Sequence, residues 1–227
     1  MGFLDRFRRS AASSDAAASG PPPASVSAGA VASAGASAEV EDALREQLVD
    51  WIRPGFLDRD EVLDRARDYF EGEDESIPDE RITVLVDEAW AARLAEQRMW
   101  TGESDAERLE AAFEHLENSG VVARMNFTCC QTCGVAEIGD ERPDPSYAGY
   151  VFFHQQDAER LADPDPHLFL AYGAFDTTRE NYVAKDEAIG RQITVALTQA
   201  GLPHTWTGSA TERISVGPLT WHRPLPD

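Results

Sequence analysis

The hydrophobic periodicity of the chain changes at Gly120, and that change limits the fold more than any other feature of the sequence. Before it, apolar residues recur every three to four positions, as on one face of a helix. After it they gather in short β-rich runs. Glu39 to Ile52 carries Val40, Leu44, Leu48 and Trp51 or Ile52 at helical spacing and is stopped by Pro54 and Gly55. Asp60 to Phe70 repeats the pattern, an acidic loop follows from Glu71 to Glu75, and a third helix runs from near Pro78 to Trp100. Its β-branched stretch, Ile82 to Val86, also suits the start of a strand. Ser104 and Glu107 have the spacing at which each side chain caps the other's free backbone N–H, and Gly120 closes this fourth helix.

Beyond Gly120 the strand-like runs are Val121 to Phe127, Gly149 to His154, Leu168 to Phe175, His204 to Thr207 and Arg213 to Trp221. A helix from Lys185 to Ala200 separates the third from the fourth, and the last two flank Gly208 and Ser209 as a hairpin would. If the cysteine-bearing segment after the first run opens a short helix, the order is βαββαββ. The pattern predicts an α+β protein: an N-terminal helical part (39–118) packed on a C-terminal α/β part (119–227), whose mixed sheet is of ferredoxin-like type with two helices. No linker separates Asn118 from Val121, so the two parts are expected to form one cooperative unit. Residues 1–38 are different in kind. From Ser10 to Ala38 the chain is Ala, Ser, Gly and Pro with Asp15 as its one charge, too little apolar surface to offset the entropy of ordering, so a disordered tail is expected.

Charge narrows the function. The formal net charge is −21, and residues 39–118 hold 25 acidic against 9 basic side chains. No basic stripe is available to neutralise phosphates, so nucleic-acid binding is not expected. Acidic side chains lie mostly opposite the apolar helix stripes, where a solvated surface accounts for them. No apolar run approaches the roughly 20 residues that cross a bilayer, and the N-terminus lacks the apolar core of a secretory signal, so no membrane span and a cytoplasmic location are expected. Residues Gly2 to Arg9 form at most one amphipathic turn.

All three cysteines fall in Thr128-Cys129-Cys130-Gln131-Thr132-Cys133-Gly134. Cys130 and Cys133 have the two-residue spacing with which neighbouring thiolates share a zinc ion, Cys129 or a distant histidine completing four ligands. The same spacing at a helix start suits a redox dithiol. Small buried hydrophobes or idle thiols are the third reading. His154 ends the apolar run Phe152-Phe153-His154 and reads as a capping or hydrogen-bonded histidine, with Asp157 as N-cap of a short helix to Leu161. Were the runs 121–127 and 149–154 a parallel pair, their ends would share one rim of the sheet. Cys129, Cys130, Cys133 and His154 would then supply three thiolates and one imidazole to zinc.

Several separate motifs carry a resemblance: Phe127 to Gly134, Gly149 to Asp157, Leu170-Ala171-Tyr172-Gly173, Ile189-Gly190-Arg191 and Trp206-Thr207-Gly208. Over residues 45–223 the chain resembles an uncharacterised actinobacterial family, domain of unknown function 6891, and that resemblance implies no activity. With no Gly-rich phosphate loop and no Ser-His-Asp set in the sequence, the leading expectation is a non-catalytic protein-binding or regulatory module. The alternative is a small metal-dependent or thiol redox protein using the cysteine cluster with His154.

Overall fold

The computed structural model describes residues 28–70 and 77–226, with side-chain environments from residue 38 onward. Residues 1–27, 71–76 and 227 lie outside the described residues. With them go the turn at Gly2 to Arg9, most of the expected tail and the acidic loop. Three helices come first: α1 (Ala28–Ile52), α2 (Arg59–Asp68) and α3 (Asp79–Gln97). α1 begins ahead of the expected helix start at Glu39. Alanine has the highest helix propensity of any residue, so an Ala-rich lead-in extends an established helix. The β-branched stretch from Ile82 lies inside α3, as helix and not strand, because Ile82, Leu85 and Val86 are buried at helical spacing against α1 and α2.

α4 (Asp105–Asn118) is capped as read, with Ser104 and Glu107 each satisfying the other's backbone N–H, and Gly120 follows at a φ of 79° that glycine adopts without strain. The second half then runs β1 (Val121–Arg124), α5 (Gln131–Glu137), β2 (Gly149–Phe152), α6 (Gln155–Ala158), β3 (Leu168–Ala174), α7 (Tyr182–Gln199), β4 (His204–Thr205) and β5 (Ile214–Val216). The sheet order is β1-β2-β3-β5-β4. β1 and β2 are adjacent and parallel, and every other pair is antiparallel. The α+β class with a mixed sheet is therefore as expected. Its first βαβ unit is unsplit, whereas the second, β3-α7-β4, has β5 inserted between its strands.

Alternation along the strands decides which core each residue joins. Val121, Ala123, Val151 and Phe153 face α4 and α7 in the larger core, while Val122 and Phe152 face the α5 side with Ile138. α4 was grouped by periodicity with the helical part, but Leu109, Phe113 and Leu116 pack on the sheet. The separate helical core holds Leu44, Leu48, Trp51, Val62 and Leu85, and truncating one of these fully buried leucines to alanine removes about 2–5 kcal/mol of stability.

The last stretch of chain ties the cores together. The Trp221 indole N–H donates to the Pro54 carbonyl at 3.0 Å, Arg223 Nε donates to Gly55 O at 3.2 Å, and the Leu225 N–H donates to Gln97 Oε1 at 3.2 Å. Leu225 itself is buried in the helical core. Asp105 and Thr220 are joined twice, the Asp105 N–H donating to Thr220 O at 3.1 Å and the Thr220 N–H donating to Asp105 Oδ2 at 2.6 Å. Among the described residues, no helix is long and apolar enough to cross a membrane.

Candidate thiolate centre at the rim of the parallel strands

Because β1 and β2 run parallel, the loops leaving them emerge on one edge of the sheet, where open α/β sheets commonly place ligands. The loop after β1 reaches the cysteines through two left-handed residues, Asn126 at φ 51° and Thr128 at φ 57°. Asn tolerates this conformation. For a β-branched residue such as Thr128 it stores about 1–3 kcal/mol, and such strain concentrates where the backbone must present a site.

Neighbouring backbone holds the loop in place. The Phe127 N–H donates to Phe153 O at 2.8 Å, the Gln155 N–H donates to Thr128 O at 3.1 Å, and Thr128 Oγ1 donates to Cys130 O at 3.2 Å. Phe127 also packs edge-on against Phe152, with ring centroids 5.8 Å apart. α5 starts directly after Cys130, which occupies the N-cap position, and Cys133 lies in its first turn. The helix sits close to the sheet because residue 134 is glycine: a Cβ there would come within 2.4 Å of the Phe152 ring.

This framework gathers the three thiols. Cys129, Cys130 and Cys133 place their sulfurs within 4.8 Å of one another, and Cys129 Sγ contacts Cys133 Sγ at 3.5 Å. Cys129 is exposed, and the other two are half-buried. Cys130 makes no regular cap hydrogen bond, yet the backbone N–H of Cys133, with help from the neighbouring thiols and Thr132, holds its pKa below the ordinary thiol value. Cys133 is pushed up to about 11, first by Cys129 and then by Cys130, since removing its proton places negative charge beside two other sulfurs. Three converging soft donors that titrate against one another are the kind of set from which a thiophilic cation displaces protons.

His154 stands on the same rim and is put to a different use. It is the N-cap of α6: its Nδ1 accepts from the Asp157 N–H at 3.2 Å, and its Nε2 lies 3.0 Å from Asp157 Oδ2. Those contacts assign the neutral tautomer with the proton on Nε2. Burial is the main cause that lowers its pKa, against the pull of Asp157. Asp157 was read as the N-cap, but it occupies the third helical position and bonds back to the His154 N–H. Arg213 closes the group, donating to both Asp157 Oδ2 and Phe169 O. So the structure brings the three cysteines together, while both ring nitrogens of His154 are engaged by Asp157.

Sequence reasoning missed Arg213, which comes from far down the chain with no local signal. It also missed that His154 and Asp157 have capping-box spacing, because the usual signature begins with Ser or Thr. Beside the rim, Asn126 and Gln155 line a cleft with Asp50, Arg65 and Glu159, whose space of about 10 Å³ suits one water molecule and no larger ligand.

No curated protein and no solved structure matches the chain. A family profile described as Domain of unknown function (DUF6891) matches residues 37–225, most of the sequence, and the chain therefore belongs to that family.

Proposed function

We propose that the protein is a small regulatory metal-binding module in which Cys129, Cys130 and Cys133 hold a thiophilic divalent ion, zinc being the ion that their chemistry suits. The mutual approach of the three sulfurs carries this reading. Zinc–thiolate bonds of about 2.3 Å at tetrahedral angles put sulfurs roughly 3.8 Å apart, so the cluster needs to tighten by about an ångström at most. The acidity of the chain, −21 overall, also favours a cation over an anion near its surface.

The test is metal analysis of protein purified under reducing conditions, followed by zinc titration against a chromophoric chelator. About one zinc per chain is expected in the wild type and little in Cys130→Ser or Cys133→Ser. Wild-type protein that competes for zinc no better than these variants would overturn the proposal.

A second reading rests on the 3.5 Å contact between Cys129 and Cys133. Closing a disulfide needs the sulfurs to move in by roughly 1.5 Å. The two thiols would form the S–S bond by passing two electrons and two protons to hydrogen peroxide, whose O–O bond breaks to give two waters. Mass-spectrometric mapping of a Cys129–Cys133 disulfide after stoichiometric peroxide, in protein that binds no zinc, would favour this reading over the first.

A further inference from the structure

Resting on the metal-binding reading above, we infer that the centre is an open one: protein supplies three thiolates, and the fourth coordination position takes an exogenous neutral donor, for which imidazole is a probe. Zinc sites that serve only structure are closed by four protein ligands, whereas sites that act on or exchange a ligand keep one position for it. Among the described residues, the group that converges here contains three cysteines and no fourth His, Cys, Asp or Glu.

The fourth ligand that the sequence pattern suggested, His154, is committed elsewhere. Its side chain is 7% exposed, and either nitrogen would have to give up its contact with Asp157 before it could bind a metal. That movement would also take from Asp157, buried and paired with Arg213, one of its partners, a costly change for a carboxylate with 3% of its side chain exposed. The thiol cluster instead opens outward: Cys129, Gln131 and Thr132 are exposed. Solvent or a partner's side chain therefore reaches the remaining position without rearranging the core.

Charge restricts the class of ligand to neutral donors. Three thiolates on a divalent ion leave the centre at −1, on a chain that is already −21. A fourth anion would meet repulsion from both, so a neutral donor is preferred.

Cobalt(II) titration of the wild-type full chain tests this, because the visible d–d bands report the donor set. Free imidazole should shift the bands saturably with one equivalent bound, azide should do so at least tenfold more weakly, and His154→Ala should change cobalt affinity by less than threefold. Cobalt binding with no imidazole response overturns the inference alone, as does a tenfold loss of affinity with altered bands in His154→Ala. A response to azide as strong as that to imidazole overturns the neutral-donor assignment. Failure of the wild type to bind cobalt at all overturns the metal-binding reading and this inference with it. The imidazole measurement needs no variant, so a folding defect in His154→Ala leaves the test decisive.

Discussion

The two loops that leave the parallel strands occupy equivalent places on the sheet and use polar side chains in opposite ways. After β2, His154, Asp157 and Arg213 form a closed set in which the carboxylate, 2% exposed as a residue, receives the imidazole, a backbone N–H and the guanidinium. After β1, three thiols are drawn together at the surface by a strained backbone and meet mainly one another. A buried group whose bonds are spent on its neighbours holds structure. A cluster with exposed, mutually repelling donors is left with chemistry to do. The comparison teaches that proximity to a site does not recruit a titratable residue to it: what decides is whether its valences are already used.

Three measurements break or sharpen that contrast. The largest effect is expected for Asp157→Ala, which removes the carboxylate partner of buried His154 and of partly exposed Arg213 and should cost about 2–4 kcal/mol in chemical denaturation. A loss below about 1 kcal/mol would show that the β2 loop is not the structural member of the pair.

A smaller effect comes from pH. His154 has its pKa lowered by burial, so the unfolded chain binds the proton more readily, and stability should fall as pH drops through the ordinary histidine range near 6.5. One proton limits the slope to about 1.4 kcal/mol per pH unit. Asp50 and Glu159, both raised chiefly by burial, act with the opposite sign, gaining stability as pH falls. The quantity to measure is therefore the difference between wild type and His154→Gln across pH 5–7.5, and identical slopes would contradict the assignment. The smallest effect belongs to the thiols. In chelator, replacing Cys129, Cys130 and Cys133 together by serine should move stability by less than about 0.5 kcal/mol, and a large shift would mean that the cluster is part of the fold.

The sequence disclosed what depends on short-range pattern. The helical stripes around Leu48 and Leu85, the Ser104–Glu107 cap and the strands Val121–Arg124 and Gly149–Phe152 follow from spacing alone. The parallel pairing that puts cysteines and His154 on one rim was legible only as a condition, since periodicity does not fix strand direction. What stayed hidden depends on distance along the chain. Arg213 meets Asp157 from the start of the last strand, and Leu225 completes a core begun at Leu44. α4 reads as a member of the helical part because its stripe resembles theirs, but its neighbours are set by the sheet that follows it. The role of His154 is half visible: the sequence suits a capping histidine, but its partner and the helix register are not legible, because the carboxylate three residues on has N-cap character of its own.

The return of residues 219–225 across the helical part has a consequence for how the protein is made. Leu44, Leu48 and Trp51 emerge early from the ribosome, yet the leucine that covers their core and the indole that binds the carbonyl of Pro54 are made more than 160 residues later. Until then the helical core lacks Leu225. The helical core therefore cannot be completed in the order of translation, because Leu225 must be made before it closes.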